Sequence, residues 1–230
     1  MQHANREMWV AELGLVDYQQ ALDLQERLRQ QRIDDAIPDT LLLLEHPAVV
    51  TRGRRGRGEA LPPGVPVVDV DRGGRATWHG PGQLVGYPVI AAPDVVAHVR
   101  LIERAIIGAL GEVGVAARAR VDDGPDYTGV WVQERKIASI GVHVRRGVAT
   151  HGFAVNVVND LAPFAAFNPC GLADVQMTAL AQEAPAACQR GTLCIGRRIA
   201  RQLCELHGAR QRIVGAARVE DLAARQAVPA

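Results

Sequence analysis

Residues 129–158 read GVWVQERKIASIGVHVRRGVATHGFAVNVV. Within them GVWV, KIASIGVHV and VATHGFAVNVV are strand-like runs of β-branched and apolar residues, and Arg145-Arg146-Gly147 supplies turn chemistry between the last two. Consecutive strands without intervening helices break strict βα alternation, which argues for an α+β fold. Working outward, TLLLLEHP, AVVTRG, VPVVDVDRGG and QLVGYPVI are four further strand-like stretches upstream. Tyr18, Ala21, Leu22 and Leu28 fall largely on one side of a helix over 18–33, stopped before Pro38. Val95, Val99, Ile102, Ile106, Ala109 and Val113 recur at steps of three and four, with Gly111 and Gly114 at the end. Downstream, IGRRIARQLCELHG has helical spacing, and GAARVEDLAARQAVPA reads as a weak terminal helix or a frayed tail. The expectation is an α+β chain: a mixed, largely antiparallel sheet flanked by helices packed on one side. No repeat, low-complexity block or linker interrupts it, so residues 1–230 read as a single domain, with a candidate small C-terminal lobe from about 180.

Composition excludes several classes. Net charge is +1, so no global field marks a nucleic-acid binder. The N-terminal MQHANREMWVAELG lacks the basic-then-apolar order of a signal peptide, and runs such as 41–44 are too short to span a bilayer. A soluble cytoplasmic protein without membrane contact is expected. Cys170, Cys188, Cys194 and Cys204 match no zinc spacing, and the last three read as small buried hydrophobes. No metal and no cofactor is expected.

The densest motif is Arg72-Gly-Gly-Arg-Ala-Thr-Trp-His79-Gly-Pro-Gly-Gln83. Glycines let backbone approach a ligand, while the interleaved Arg72, Thr77, His79 and Gln83 can fix it; a decorated turn is the plainer alternative. Lys136 stands in a strand-like run where lysine is uncommon unless paired or functional, and Asn156 breaks an apolar face. Cys170 lies in the tight turn Asn168-Pro169-Cys170-Gly171. A thiol of pKa about 8.5 is only about 3% thiolate at pH 7, and about 2 kcal/mol of thiolate stabilisation brings it to 7. A nearby ammonium supplies that amount, so Cys170 and Lys136 make chemical sense as a pair. The run Arg52-Gly53-Arg54-Arg55-Gly56-Arg57 is either a solvated loop or a docking patch for an acidic protein. His46, His143 and His151 read as hydrogen-bonded strand residues rather than ligands.

RGGRATWHGPGQ, KIASIG, HGFAVNVVNDL and FNPCG, in this order from about residue 41 to 180, resemble the lipoyl(octanoyl) transferase family. The resemblance implies a biotin/lipoate protein ligase-like fold. It implies transfer of octanoyl from octanoyl-acyl carrier protein to a lysine of lipoyl domains, those of 2-oxoacid dehydrogenase and glycine cleavage proteins, in lipoate biosynthesis. It places the acyl-thioester cysteine on Cys170 and the lysine that lowers its pKa on Lys136. Acyl-pocket segments fall on Arg72, Gly73, Gly74, Arg75, Ala76, Thr77, Trp78 and His79, on Ser139, Ile140 and Gly141, and on Gly152, Phe153 and Ala154. Two alternatives compete: an ATP-dependent lipoate or biotin ligase, which needs no cysteine nucleophile, and a non-catalytic acyl-binding module. A cysteine hydrolase is disfavoured, because no separate His/Asn signature stands near Cys170.

Overall fold

The computed structural model describes residues 6–58, 61, 64–166, 175–188 and 191–224. Strand β1 (Glu7–Leu15) leads into helix α1 (Tyr18–Ile33), whose first turn is capped by Asp17 accepting from the backbone N–H of Gln19 and Gln20. Strands β2 (Asp39–Glu45), β3 (Val49–Arg52), β4 (Val67–Asp69), β5 (Ala76–His79) and β6 (Gln83–Val89) precede helix α2 (Val95–Gly111). Strands β7 (Arg118–Ala119), β8 (Gly129–Val132), β9 (Arg135–Arg145) and β10 (Val148–Asn156) follow. The described chain ends with β11 (Gln176–Met177), α3 (Leu180–Glu183), α4 (Leu193–His207), β12 (Arg210–Val214) and α5 (Ala216–Ala224).

The main sheet runs β12-β1-β2-β6-β10-β9-β8-β7, with β11 added against β9. Pairs β12/β1, β1/β2 and β11/β9 are parallel and the rest antiparallel, so the sheet is mixed and largely antiparallel. The β9–β10 hairpin turns at Arg146 and Gly147, both with positive φ, as the sequence suggests. Strands β4-β3-β5 form a separate small sheet that carries the glycine-rich motif. That motif is therefore not all loop: β5 lies inside it.

The helices cover both faces of the main sheet, not one as the sequence reading had it. Leu41 and Leu43 pack with Ile102, Ile106 and Ile199 under α2 and α4. Leu42 and Leu44 pack with Ala21, Leu28 and Val219 under α1 and α5. The uninterrupted leucine run of β2 records this, because a strand buried on both faces has no polar side to alternate with. The C-terminal segment joins the same body, α4 against α2 and β12 against β1.

Between β6 and β10 the ladder stops at Gly86 opposite Phe153. Pro88 has no N–H to continue it, and a Cβ at Gly152 would lie 2.5 Å from Pro88 Cδ and 2.2 Å from the Gly86 carbonyl oxygen. His151 adopts φ +57° at this point, and the strands rejoin where Ala149 N–H donates to the Ile90 carbonyl at 2.9 Å. The ladder is interrupted here, and residues on both sides of the interruption line a cavity.

Candidate active site

The cavity beside this interruption has a volume of about 270 Å³. Side chains from both faces of the sheet line it: Ile140, Val142 and Phe153 from the α2 side, Val85, Tyr87 and Ala154 from the α1 side. The glycine-rich segment is laid onto β9 by a bond from Gly73 N–H to the Val142 carbonyl, 2.9 Å. A Cβ at Gly141 would sit 2.9 Å from the Gly73 carbonyl oxygen, so only glycine permits this approach.

Of the segments expected in the wall, residues 72–77, 139–141 and 152–154 and His79 line the cavity. Trp78 does not. The two-residue period of β5 turns it away, edge-on to Phe164 at 5.7 Å, while Thr77 and His79 point inward. Lys136 is also off the wall. It is fully buried, opposite Trp131 at a bulge, with Nζ 5.2 Å from the indole centroid. A Cβ at Gly129 would lie 2.8 Å from Lys136 Cε, so a glycine makes room for that stem. Cys170 lies outside the described residues. The chain is described again from 175, and β11 sets Met177 in register with Lys136.

A chain of buried hydrogen bonds connects the wall to the strand of Lys136, and each link fixes the direction of the next. Thr178 N–H donates to the Lys136 carbonyl at 2.9 Å, and Asn156 Nδ2 donates to the Thr178 carbonyl at 3.1 Å. Asn156 Oδ1 therefore accepts from Gln83 Nε2 at 3.0 Å, which leaves Gln83 Oε1 to accept from His79 Nδ1 at 2.8 Å. The bare His79 Nε2 faces Thr51 Oγ1 at 3.3 Å, and that oxygen accepts from Arg72 Nη2 at 2.9 Å. Burial, reinforced by His46 nearby, pushes the His79 pKa down to about 3, so the ring is neutral at physiological pH, as the chain requires.

Several wall residues had no sequence signal. Tyr18 from the start of α1 stacks on His79 at 5.9 Å, and burial pushes its hydroxyl up to about 12. Val95 and Val99 come from the first turns of α2. His151 was read as a hydrogen-bonded strand residue, and its Nε2 does meet Asp71 Oδ1 at 2.8 Å, yet it also faces the cavity. At the mouth Arg55 pairs with Asp126 at 2.8 Å, while Arg52 takes Asp69 at 2.6 Å. Arg54 and Arg57 are exposed. Of the other cysteines, Cys204 is buried with its thiol pushed up to about 11, whereas Cys188 and Cys194 are only half-buried. Among the described residues no cluster of three His, Cys, Asp or Glu side chains is arranged to hold a metal ion.

The model for the lipoyl protein ligase A/B catalytic domain matches residues 17–193. The chain belongs to that family. An octanoyltransferase of Corynebacterium glutamicum is 48% identical over 184 residues, covering 76% of this chain and 72% of the relative. One from Geobacter metallireducens is 48% identical over 178 residues, covering 75% and 82%. A bi-partite lipoate protein ligase from Thermoplasma acidophilum, 17% identical, shares the fold with a TM-score of 0.71, covering 96% of this chain and 92% of that one. The biotin/lipoate ligase-like architecture read from the sequence is thus the observed one.

Proposed function

We propose that this chain transfers an octanoyl group from octanoyl-acyl carrier protein to a lysine of a lipoyl domain, through a thioester on Cys170. It is an acyltransferase of the family just described. The observation that carries the substrate class is the cavity itself. Val85, Tyr87, Ile140, Val142, Phe153 and Ala154 give it an apolar wall, and Gly73, Gly74, Gly141 and Gly152 let backbone bound it.

In the first half-reaction the Cys170 thiolate attacks the donor thioester, and the carrier thiolate leaves, taking a proton from the Lys136 ammonium. In the second, an amine of the acceptor attacks acyl-Cys170, its proton passes to Lys136, and the Cys170 thiolate is restored. Burial of Lys136 with its stem between Trp131 and Gly129 supports a fixed role, and so does the register of Met177, seven residues after Cys170, with Lys136. Residues 1–230 act as one catalytic domain in this reading, which the return of β12 to β1 supports. The acceptors are lipoyl domains of 2-oxoacid dehydrogenase and glycine cleavage proteins, and the compartment is the reducing cytoplasm that a free thiol nucleophile needs. Among the described residues no helix is long and apolar enough to cross a membrane.

Intact mass after incubation with octanoyl-acyl carrier protein tests the reading. The wild type gains one octanoyl, Cys170→Ser gains none, and the variants Cys188→Ser, Cys194→Ser and Cys204→Ser gain it normally. An adduct that persists in Cys170→Ser refutes the mechanism. Transfer from free octanoate that depends on ATP would establish the ligase reading instead.

A further inference from the structure

Strands β9 and β10 lay the cavity out as a scale. Ser139 is opposite Ala154, Gly141 opposite Gly152, and Val142 opposite His151. At about 3.3 Å per residue, Ser139 stands about 10 Å along β9 from Lys136 and Val142 about 20 Å. The wall from Ser139 to Val142 is therefore about 10 Å long. An eight-carbon chain built from C–C bonds of about 1.5 Å extends about 10 Å as well. The Lys136 stem reaches Gly129, the partner of Ser139, so with the thioester beside Ser139 the last carbon of such a chain reaches the level of His151.

His151 is built as a fixed end wall. It is 2% exposed and sits at φ +57°, a left-handed conformation that non-glycine residues seldom adopt. Its backbone N–H donates to Gln25 Oε1 at 2.7 Å. Nε2–H is held by Asp71, whose other oxygen lies 2.6 Å from His143 Nδ1. Proton and carboxylate occupy Nε2, so Nδ1 carries a lone pair, and among the described residues it has no hydrogen-bond partner.

We propose that His151, clamped by Asp71, is the end stop that determines which acyl chains this enzyme accepts. Eight-carbon chains fit, and longer saturated chains are refused. The proposal rests on the transfer reading above. It goes beyond that reading by assigning chain-length selectivity to one residue.

The test measures acyl-Cys170 formation from small octanoyl and decanoyl thioesters. In the wild type, decanoyl falls below octanoyl by about tenfold or more. His151→Gly suits the left-handed backbone and removes the ring. It brings decanoyl level with octanoyl. An unchanged decanoyl-to-octanoyl ratio in a His151→Gly protein with the wild-type melting temperature overturns the proposal. Should that variant not fold, Asp71→Asn at its exposed position loosens the ring and must raise the same ratio; a fixed ratio there is equally fatal. A wild type acylated by no thioester refutes transfer itself, whereas one acylated equally by octanoyl and decanoyl refutes only the end stop.

Discussion

The two ends of the β9–β10 pair share strands and burial but not chemistry. At the Lys136 end, the buried amides of Gln83 and Asn156 are satisfied in one direction, from Thr51 and His79 through to the Thr178 carbonyl. At the Val142 end, a buried imidazole on a left-handed backbone keeps a nitrogen that has no partner among the described residues. A satisfied network spends its polar capacity on holding the protein still, whereas a ring whose free nitrogen is buried presents the cavity with shape rather than a hydrogen bond. The proposals above place reaction at the first end and chain-length selection at the second.

The largest expected effect breaks the reacting end. Cys170→Ser lowers octanoyl transfer by about four orders of magnitude or more in a turnover assay. Lys136→Met removes the ammonium while roughly filling the space between Trp131 and Gly129. Its Cys170 alkylation profile should move up by about one pH unit or more. An unmoved profile would remove Lys136 as the activator.

Next comes the pH response of the satisfied network. The His79 pKa is about 3 in the folded protein, below its unfolded value of about 6.5, so the unfolded chain binds the extra proton. Stability is complete above pH 6.5 and falls as pH drops towards 3. The His79 share of the loss between pH 7 and 4.5 is about 3 kcal/mol. His46 and His151 shift in the same direction, so the comparison is with His79→Gln. Urea unfolding at both pH values should show the gap between the proteins closing by about that amount on acidification. A constant gap means that the ring is not held neutral.

A smaller effect sharpens the contrast. Asn156→Ala strips partners from Gln83 and from the Thr178 carbonyl, and should cost about 2 kcal/mol in urea unfolding. The selectivity of that variant for octanoyl over decanoyl should not change, since the other end is untouched. Smallest is the mouth. Arg55 is committed to Asp126, so Arg57, exposed and outside the wall, is the cleaner probe of docking. Arg57→Glu should raise KM for the carrier-bound donor a few-fold, with salt acting alike, and leave a small thioester unaffected. Equal losses with both donors would end the docking role.

Much of the site was legible because glycines cluster where backbone must approach closely. The motif from Arg72 to Gln83 reads as a ligand wall on that ground; residues 72–77 and His79 line the cavity, and Gln83 stands behind them, bonded to His79. Trp78 was carried along by adjacency in sequence, and only the strand identity of β5 separates it from its neighbours. Strands β1 and β12 gave little signal because each needs a partner remote in sequence: Met8 pairs with Gln211.

The sequence by itself determined the sheet class, the β9–β10 hairpin, the longer helices and most of the segments that line the cavity. These rest on local patterns: period two, period three to four, turn residues and glycine clusters. Tertiary structure alone decided that helices cover both faces, that Trp78 turns away, and that Tyr18, Val95 and His151 reach one cavity. It also decided the role open to His151. A histidine in a strand is an ordinary residue until Pro88 stops the ladder beside it and Asp71, eighty residues earlier, takes one of its nitrogens. Contacts of that separation are set by the packing of whole elements, which no short window of sequence contains.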